Sequence, residues 1–207
     1  MADVVDPLVP LMLLEAVRIV DTPDEDDTEI EFVEELRVKR LGLSDTVRAQ
    51  IRRYEEAVRR GSSVSFEEAT GIARLVGRRP DAEAVFREAG RRLARVVYGR
   101  VFAPTRWALR LLPGLLARPL ALRQVRRASR RYLGGGIRRV GATILLEVPG
   151  TLSVGTAPRS GGCTFQEAML REFIRQLLGV VGTVEHVRCR SREEGACEWR
   201  AEWRTIR

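Results

Sequence analysis

The residues of this chain that are best suited to bind a metal ion lie near its carboxyl end. The 207-residue sequence contains three cysteines and a single histidine, and they follow one another as C-x22-H-x2-C-x7-C. These residues are Cys163, His186, Cys189 and Cys197. Thiolate sulfur and imidazole nitrogen are ligands that zinc prefers, and a structural zinc site uses four ligands in a tetrahedron. The pattern therefore predicts a structural zinc site.

The segments around these residues predict the elements that would bring them together. Apolar residues recur with helical period over residues 165–178, so Cys163 is predicted to lie at the entrance of a helix that ends at Gly179. Residues 183–190 and 197–203 have β-like composition and are separated by turn-forming residues. This pattern indicates a hairpin that carries the other three candidate ligands.

The spacing within the first strand of that hairpin conflicts with ideal strand geometry. His186 and Cys189 are three positions apart, so in an ideal strand their side chains would point to opposite faces. Both can bind one ion only if a bulge or an early strand end near Arg188 turns the two side chains to the same side of the strand. We therefore expect an irregularity at this point.

Two other interpretations of the cysteines remain open from the sequence. A free cysteine is commonly a small buried apolar side chain. A disulfide between Cys189 and Cys197 would leave Cys163 unpaired, and the amino terminus does not resemble a secretion signal. We therefore expect a reducing, cytoplasmic compartment.

The carboxyl-terminal part of the chain resembles the 4-vinyl reductase domain. The helix after Cys163, the strand Val184 to Cys189 and the segment Glu194 to Trp199 are similar to the C-terminal signature of that domain. Residues 80–94 resemble its first core helix, so the resemblance extends over residues 80–207. The superfamily of small-molecule-binding folds also includes phenol-sensing domains of bacterial transcription activators and transport-particle subunits of the Golgi.

The resemblance implies a ligand set and a biological context. The phenol sensors bind zinc through a Cys before the helix, an acidic residue on the next strand and two Cys flanking the hairpin turn. The four candidate residues have matching order, but His186 stands where those sensors carry a carboxylate, and Glu185 could also take that place. The family is associated with reduction of the vinyl group of a chlorophyll precursor, which implies a link to tetrapyrrole or bacteriochlorophyll pigments and photosynthesis.

The resemblance also implies a ligand pocket between the sheet and the helices. We expect a hydrophobic or acidic small molecule there, with an arginine available for an acidic group. The same apolar positions are equally suited to form the core. The predicted lining residues are Phe102, Trp107, Leu111, Leu115, Ile144, Leu146, Phe173 and Leu177.

Charge is divided unevenly along the chain. Residues 1–36 contain twelve acidic residues and one base, whereas the remaining residues have a net charge of +19. No acidic residue lies between Glu88 and Glu147, where fourteen arginines alternate with aromatic and leucine side chains. Such a surface attracts anions, which could be membrane lipids, nucleic acid or a carboxylate ligand. A high arginine content without any functional role is a further interpretation.

The element pattern predicts an α+β fold, with a four-stranded antiparallel sheet and helices packed on one face. Residues 1–36 are predicted to be an acidic arm, 37–79 a helical lead-in and 80–207 the α+β domain.

A short helix from Leu8 to Val20 is expected to dock elsewhere, on the body, a partner or a second copy. Further helices are expected at about 80–99, 104–117 and 119–132, and a hairpin between 137–148 and 151–156 that turns at Pro149-Gly150.

The sequence favours binding over catalysis. It has no Ser-His-Asp ordering, no phosphate loop followed by Lys and no G-x-G-x-x-G motif. A binding module is the first hypothesis, and an interaction subunit that docks its basic helices on a membrane or photosynthetic membrane-protein complex is the alternative. A DNA-binding regulator that uses the helices of residues 37–79 is the third.

The longest apolar stretch, residues 111–117, is too short to span a bilayer, so we expect at most peripheral association with the inner face of the membrane.

Overall fold

The computed structural model describes residues 4–22, 44–141, 143–150, 152–179, 182–190 and 195–203, with a few side chains inside these ranges left out. The helices in these residues are α1 (Leu8–Asp21), α2 (Asp45–Arg60), α3 (Phe66–Gly77), α4 (Ala82–Gly99), α5 (Ala103–Leu111), α6 (Gly114–Ala128) and α7 (Thr164–Leu178). The strands are β1 (Val4–Val5), β2 (Val64–Ser65), β3 (Gly136–Val140), β4 (Thr143–Val148), β5 (Gly182–Arg188) and β6 (Cys197–Trp203).

The four longer strands form one antiparallel sheet in the order β3-β4-β6-β5, and β1 pairs with β2 separately. Burial alternates along β6, where Trp199 and Ala201 are buried while Arg200 and Glu202 are exposed. Helix α7 packs on β5 and β6, and α6 packs on β3. The predicted α+β architecture is confirmed.

The first hairpin of the sheet turns earlier than the sequence predicted. Gly141 adopts a φ of 61°, and β3 pairs with β4 from Gly136 opposite Glu147 to Val140 opposite Thr143. A glycine reaches this left-handed conformation without steric cost, so a tight turn between two short strands is favoured here. Residues 152–156 form turns instead of the predicted strand. The prediction of a hairpin turn at Pro149-Gly150 is therefore wrong.

Proline and glycine residues mark the ends of α5 and α6, which lie in the arginine-rich part of the chain between Glu88 and Glu147. Leu112 is extended, with a ψ of 141°, because it precedes Pro113, and α5 therefore ends at Leu111 instead of continuing to 117. Helix α6 continues into a π-helical turn, Ser129–Leu133, which ends at Gly134 with a φ of 66°. Within the described ranges, no helix is both long and apolar enough to cross a membrane.

The predicted amino-terminal helix is confirmed as α1, and it belongs to the core. Its buried residues include Leu13, Ala16 and Val17, and it packs against α2, α3 and α4. Acidic side chains of this segment pair with basic side chains of the body: Asp6 with Arg131, Glu15 with Arg92 and Asp21 with Arg79. Residues 23–43, which hold eight of the twelve acidic residues of the predicted arm, lie outside the described residues.

The helical lead-in consists of α2 and α3. Ser44 caps α2 by accepting a hydrogen bond from the Val47 amide at 3.3 Å. The link between the helices, residues 61–65, contains β2, which pairs with β1. This link is longer than the three or four residues of a DNA-binding helix-turn-helix. The buried side of α2 packs on α1.

Helices α4 and α7 pack closely through a glycine. A Cβ atom at Gly90 would lie 2.4 Å from the carbonyl oxygen of Phe165 and 3.0 Å from the amide nitrogen of Met169. Real Cβ atoms do not approach backbone so closely, so only glycine allows this contact. Because α7 starts directly after Cys163, the contact also determines where the first candidate ligand lies.

Replacing this glycine therefore tests the packing. Gly90→Ala is expected to lower the free energy of unfolding by about 1 to 3 kcal/mol, because overpacking forces two helix backbones apart. Gly71→Ala is the matched control: Gly71 also lies inside a helix but has open space around its Cβ position, so the same change should stabilise by up to about 1 kcal/mol. Urea unfolding of both variants provides the measurement, and equal effects would contradict the packing argument.

Candidate metal centre

The four predicted metal ligands meet at one end of the sheet. The ligand atoms of Cys163, His186, Cys189 and Cys197 all lie within 4.8 Å of one another. The three cysteines are buried and none forms a disulfide. The sulfurs of Cys163 and Cys197 are 4.0 Å apart, close to the separation of about 3.8 Å expected for two sulfurs that each lie about 2.3 Å from one tetrahedral ion. This group of side chains, the cysteine-histidine cluster, could hold a metal ion.

A bulge in β5 brings the histidine and the second cysteine to the same side. His186 pairs with Trp199, whereas Arg188 pairs with the adjacent Glu198, so the register shifts by one residue between them. Cys189 follows immediately after β5 ends at Arg188. The irregularity predicted from the spacing is confirmed, and it removes the geometric objection to a common site.

Tight backbone contacts position Cys163, which forms the N-cap of α7. A Cβ atom at the preceding Gly162 would lie 1.8 Å from the carbonyl oxygen of Ser153. Gln166 is fully buried beside them. With its amide oriented to satisfy both ends, it donates to the carbonyls of Gly162 and Cys163 at 3.2 Å and accepts from the Ser153 hydroxyl at 2.8 Å.

These supporting residues were missed at the level of sequence. Gln166 lies among the apolar positions of α7, between Phe165 and Met169. A glutamine on the buried side of a helix needs hydrogen-bond partners, and this requirement is a signal that sequence alone provides. The identity of those partners depends on the turn around Ser153, for which the sequence predicted a strand.

His186 carries a buried nitrogen that has no hydrogen-bond partner within the described ranges. Its ring stacks on Trp199 with centroids 4.7 Å apart, and its Nε2 atom finds no partner among the described residues. Leaving such an atom unsatisfied is costly, and coordination of a metal would satisfy it. Glu185 instead accepts a hydrogen bond from Arg200 at 3.1 Å and is largely exposed. The cluster therefore contains His186 and not Glu185.

The electrostatics of the cluster favour a negative charge at one sulfur. The hydrogen bond with Cys163 lowers the pKa of Cys197 well below its ordinary value, and the His186 imidazole and the Arg190 amide, whose nitrogen is 3.3 Å from that sulfur, act in the same direction. The same hydrogen bond, together with burial, raises the pKa of Cys163. A bound cation would compensate both sulfurs and displace the proton that they share.

The eight residues predicted to line a ligand pocket do not converge on one cavity. The buried core contains Ile144, Leu146, Phe173 and Leu177, whereas Phe102, Trp107 and Leu111 are exposed. The side chain of Leu115 lies outside the described part of the chain. Phe102 and Phe173 are the two members of the set that line a common cleft.

That cleft lies between helices and not between the sheet and the helices. It has a volume of about 520 Å³ and is bounded by α4, α5, α6 and α7; we call it the arginine cleft. Its apolar lining includes Val97, Phe102, Leu120 and Phe173, and its basic lining is Arg100, Arg123, Arg127 and Arg131. Among the described residues, Arg131 pairs with Asp6 at 2.8 Å, and the other three arginines form no ion pair.

Comparison with known proteins does not identify a family. No protein-family model matches this chain, and a search of curated proteins found no significant match. The resemblance to the 4-vinyl reductase domain therefore remains a prediction. The function has to be argued from the cysteine-histidine cluster and the arginine cleft.

The position of His186 generates a test of the ligand set. His186→Phe keeps an aromatic ring against Trp199 but removes the nitrogen, so metal affinity should fall by more than the roughly 10- to 100-fold typical of losing an outer-shell partner. Glu185→Gln, at the neighbouring position, should leave the affinity unchanged. Competition with a chelator of known affinity measures both variants. If metal affinity fell in Glu185→Gln but not in His186→Phe, the fourth ligand would be the Glu185 carboxylate.

Proposed function

We propose that this chain is a non-catalytic binding domain of the 4-vinyl reductase type. It holds a structural zinc ion in the cysteine-histidine cluster and binds a small anionic amphipathic molecule in the arginine cleft. The observation that carries the proposal is that arginines with no carboxylate partner among the described residues lie beside aromatic and aliphatic side chains in one cleft. The zinc ion stabilises the fold on which that cleft depends.

The choice of zinc follows from the ligand chemistry. Three sulfurs and one imidazole are typical of a structural zinc site, and four protein ligands leave no open position for water or substrate. The ligands come from the start of α7, the end of β5 and the start of β6. A bound zinc ion would therefore tie the terminal hairpin to the helix that precedes it, and its binding free energy would contribute to folding.

The nature of the ligand follows from the lining of the cleft. Ligand pockets are mainly apolar with a few placed polar groups, and volumes of roughly 300 to 1,000 Å³ are usual. Here the charged groups are guanidinium groups, which bind carboxylates and phosphates through paired hydrogen bonds. An apolar body would contact Phe102 and Phe173 while the acidic group meets Arg123 or Arg127.

Membership of the 4-vinyl reductase family is supported by the order of the elements. A cysteine precedes a helix, a histidine and a cysteine follow at the end of the next strand, and the last cysteine begins the final strand. This order matches the zinc site of the phenol sensors that the sequence resembles. If the link to pigments holds, the ligand is a tetrapyrrole carboxylic acid, which combines an apolar ring system with an acidic group.

Metal analysis tests the zinc assignment. We expect one zinc per chain, and Cys189→Ser should lose the ion together with several kcal/mol of folding free energy, because structural zinc binding is coupled to folding. Ala201→Ser is the matched control. It also places a hydroxyl at a buried position, here on β6, but Ala201 is not a member of the cluster. Atomic absorption and thermal unfolding measure both effects. A metal-free protein that unfolds at the same temperature with and without chelator would refute the assignment.

Ligand titration tests the cleft. Arg123→Gln combined with Arg127→Gln should weaken binding of dansyl-undecanoic acid by about tenfold or more, because hydrogen bonds to charged groups contribute about 1.5 to 3 kcal/mol. The double variant Arg48→Gln, Arg52→Gln removes the same charge from α2 and should have no effect. Fluorescence titration measures the affinities, with the methyl ester of the probe as the neutral comparison. Equal affinity for acid and ester in the natural sequence would contradict the proposal.

A further inference from the structure

Large apolar side chains are exposed together on and around α5. The described residues contain eleven large apolar side chains that are exposed, and five of them lie within residues 102–116. Phe102 is 72% exposed, Trp107 69% and Leu111 62%, and Leu112 and Leu116 complete the group. Single exposed apolar residues are normal, but a concentration of this kind marks an interaction surface. We call these five residues the α5 apolar patch.

The geometry of α5 presents this patch outward. Trp107 and Leu111 are four positions apart and therefore lie on the same side of the helix, one turn from each other. Leu109 is the buried residue of α5, and it faces the body, where α5 packs on α6 and α7. Leu109 thus anchors one side of α5 in the core, while Trp107 and Leu111 on the opposite side are exposed.

The surroundings of the patch are basic. Arg106 lies over the Tyr98 ring, with its guanidinium carbon 5.6 Å from the ring centroid, and Arg110 donates to the Tyr98 hydroxyl at 3.3 Å. Neither arginine pairs with a carboxylate in the described part of the chain. The arginine cleft adjoins the patch through Phe102, and the sequence has no acidic residue from 89 to 146.

We infer that the α5 apolar patch and its flanking arginines dock this protein on the surface of an anionic phospholipid bilayer. An interfacial helix combines Trp, Phe and Leu, which enter the boundary between headgroups and acyl chains, with arginines that meet lipid phosphates. Tryptophan favours the headgroup level because its ring is amphipathic. With nine residues, α5 is suited to lie in the plane of the interface.

Charge complementarity favours a bilayer over a second copy of the chain. A symmetric dimer through this patch would bring Arg106 and Arg110 of one copy against the same basic surface of the other, and like charges at close range oppose association. An anionic bilayer supplies the opposite charge at every point of contact. The inference does not require the arginine cleft to bind a ligand, because Trp107 and Leu111 do not line that cleft.

Vesicle sedimentation of the full chain tests this inference. The protein should sediment with phosphatidylcholine vesicles that contain about one-third phosphatidylglycerol, and binding should weaken with added salt. The double variant Trp107→Ser, Leu111→Ser should lower the partition coefficient by at least about tenfold, because two large apolar side chains no longer enter the bilayer. Since both side chains are exposed in the fold, the thermal unfolding temperature of the variant should stay unchanged.

Two comparison variants make the test specific. Leu75→Ser changes a leucine that is 55% exposed on α3, away from the patch, and should sediment with vesicles like the natural sequence. Arg106→Gln combined with Arg110→Gln should abolish the preference for phosphatidylglycerol while the fold persists. Undiminished sedimentation of the Trp107→Ser, Leu111→Ser variant would overturn the inference. A second result would also overturn it: the natural sequence fails to bind vesicles and forms a dimer, detected by analytical ultracentrifugation, that the Trp107→Ser, Leu111→Ser variant alone disrupts.

Discussion

Three cysteine sulfurs and an imidazole lie within 4.8 Å of one another and could hold a metal ion, and any thiolate formed among these buried sulfurs would require a compensating positive charge. This constraint governs the carboxyl-terminal part of the fold, because the cluster joins the start of α7 to both strands of the final hairpin. The hydrogen bond between the two sulfurs lowers the pKa of Cys197 and raises that of Cys163. A zinc ion would compensate the negative charge of the cysteine thiolates and would hold the three elements together.

Close backbone contacts prepare the cluster from outside. Gly90 lets α4 approach the first turn of α7, and Gly162 lets the turn at Ser153 approach the residue before Cys163. Gln166 then joins these backbone groups through its amide. The first candidate ligand, Cys163, is therefore positioned by packing of the helical layer, so perturbing that layer would disturb the cluster without changing any of its four residues.

The distribution of ion pairs explains why the basic surface remains available. Acidic residues of the amino-terminal segment neutralise selected arginines of the body, as in the pairs Glu15–Arg92 and Asp6–Arg131. The arginines of α5 and most of those that line the arginine cleft have no such partner in the described residues. An uncompensated positive field beside exposed apolar side chains is the physical basis for both the proposed ligand and the proposed membrane contact.

The sequence by itself determined the fold class, the elements at the carboxyl end and the four members of the cysteine-histidine cluster, because helical period, strand composition and rare residue types are local signals. It also indicated the bulge near Arg188. Only the tertiary structure decided the position of the first hairpin turn at Gly141, the inclusion of α1 in the core and the roles of Gln166 and Ser153. It also separated Trp107 and Leu111, which face outward, from Ile144 and Leu146 in the core. These outcomes depend on which surfaces of distant elements meet, and apolar composition alone does not distinguish a core position from an exposed binding surface.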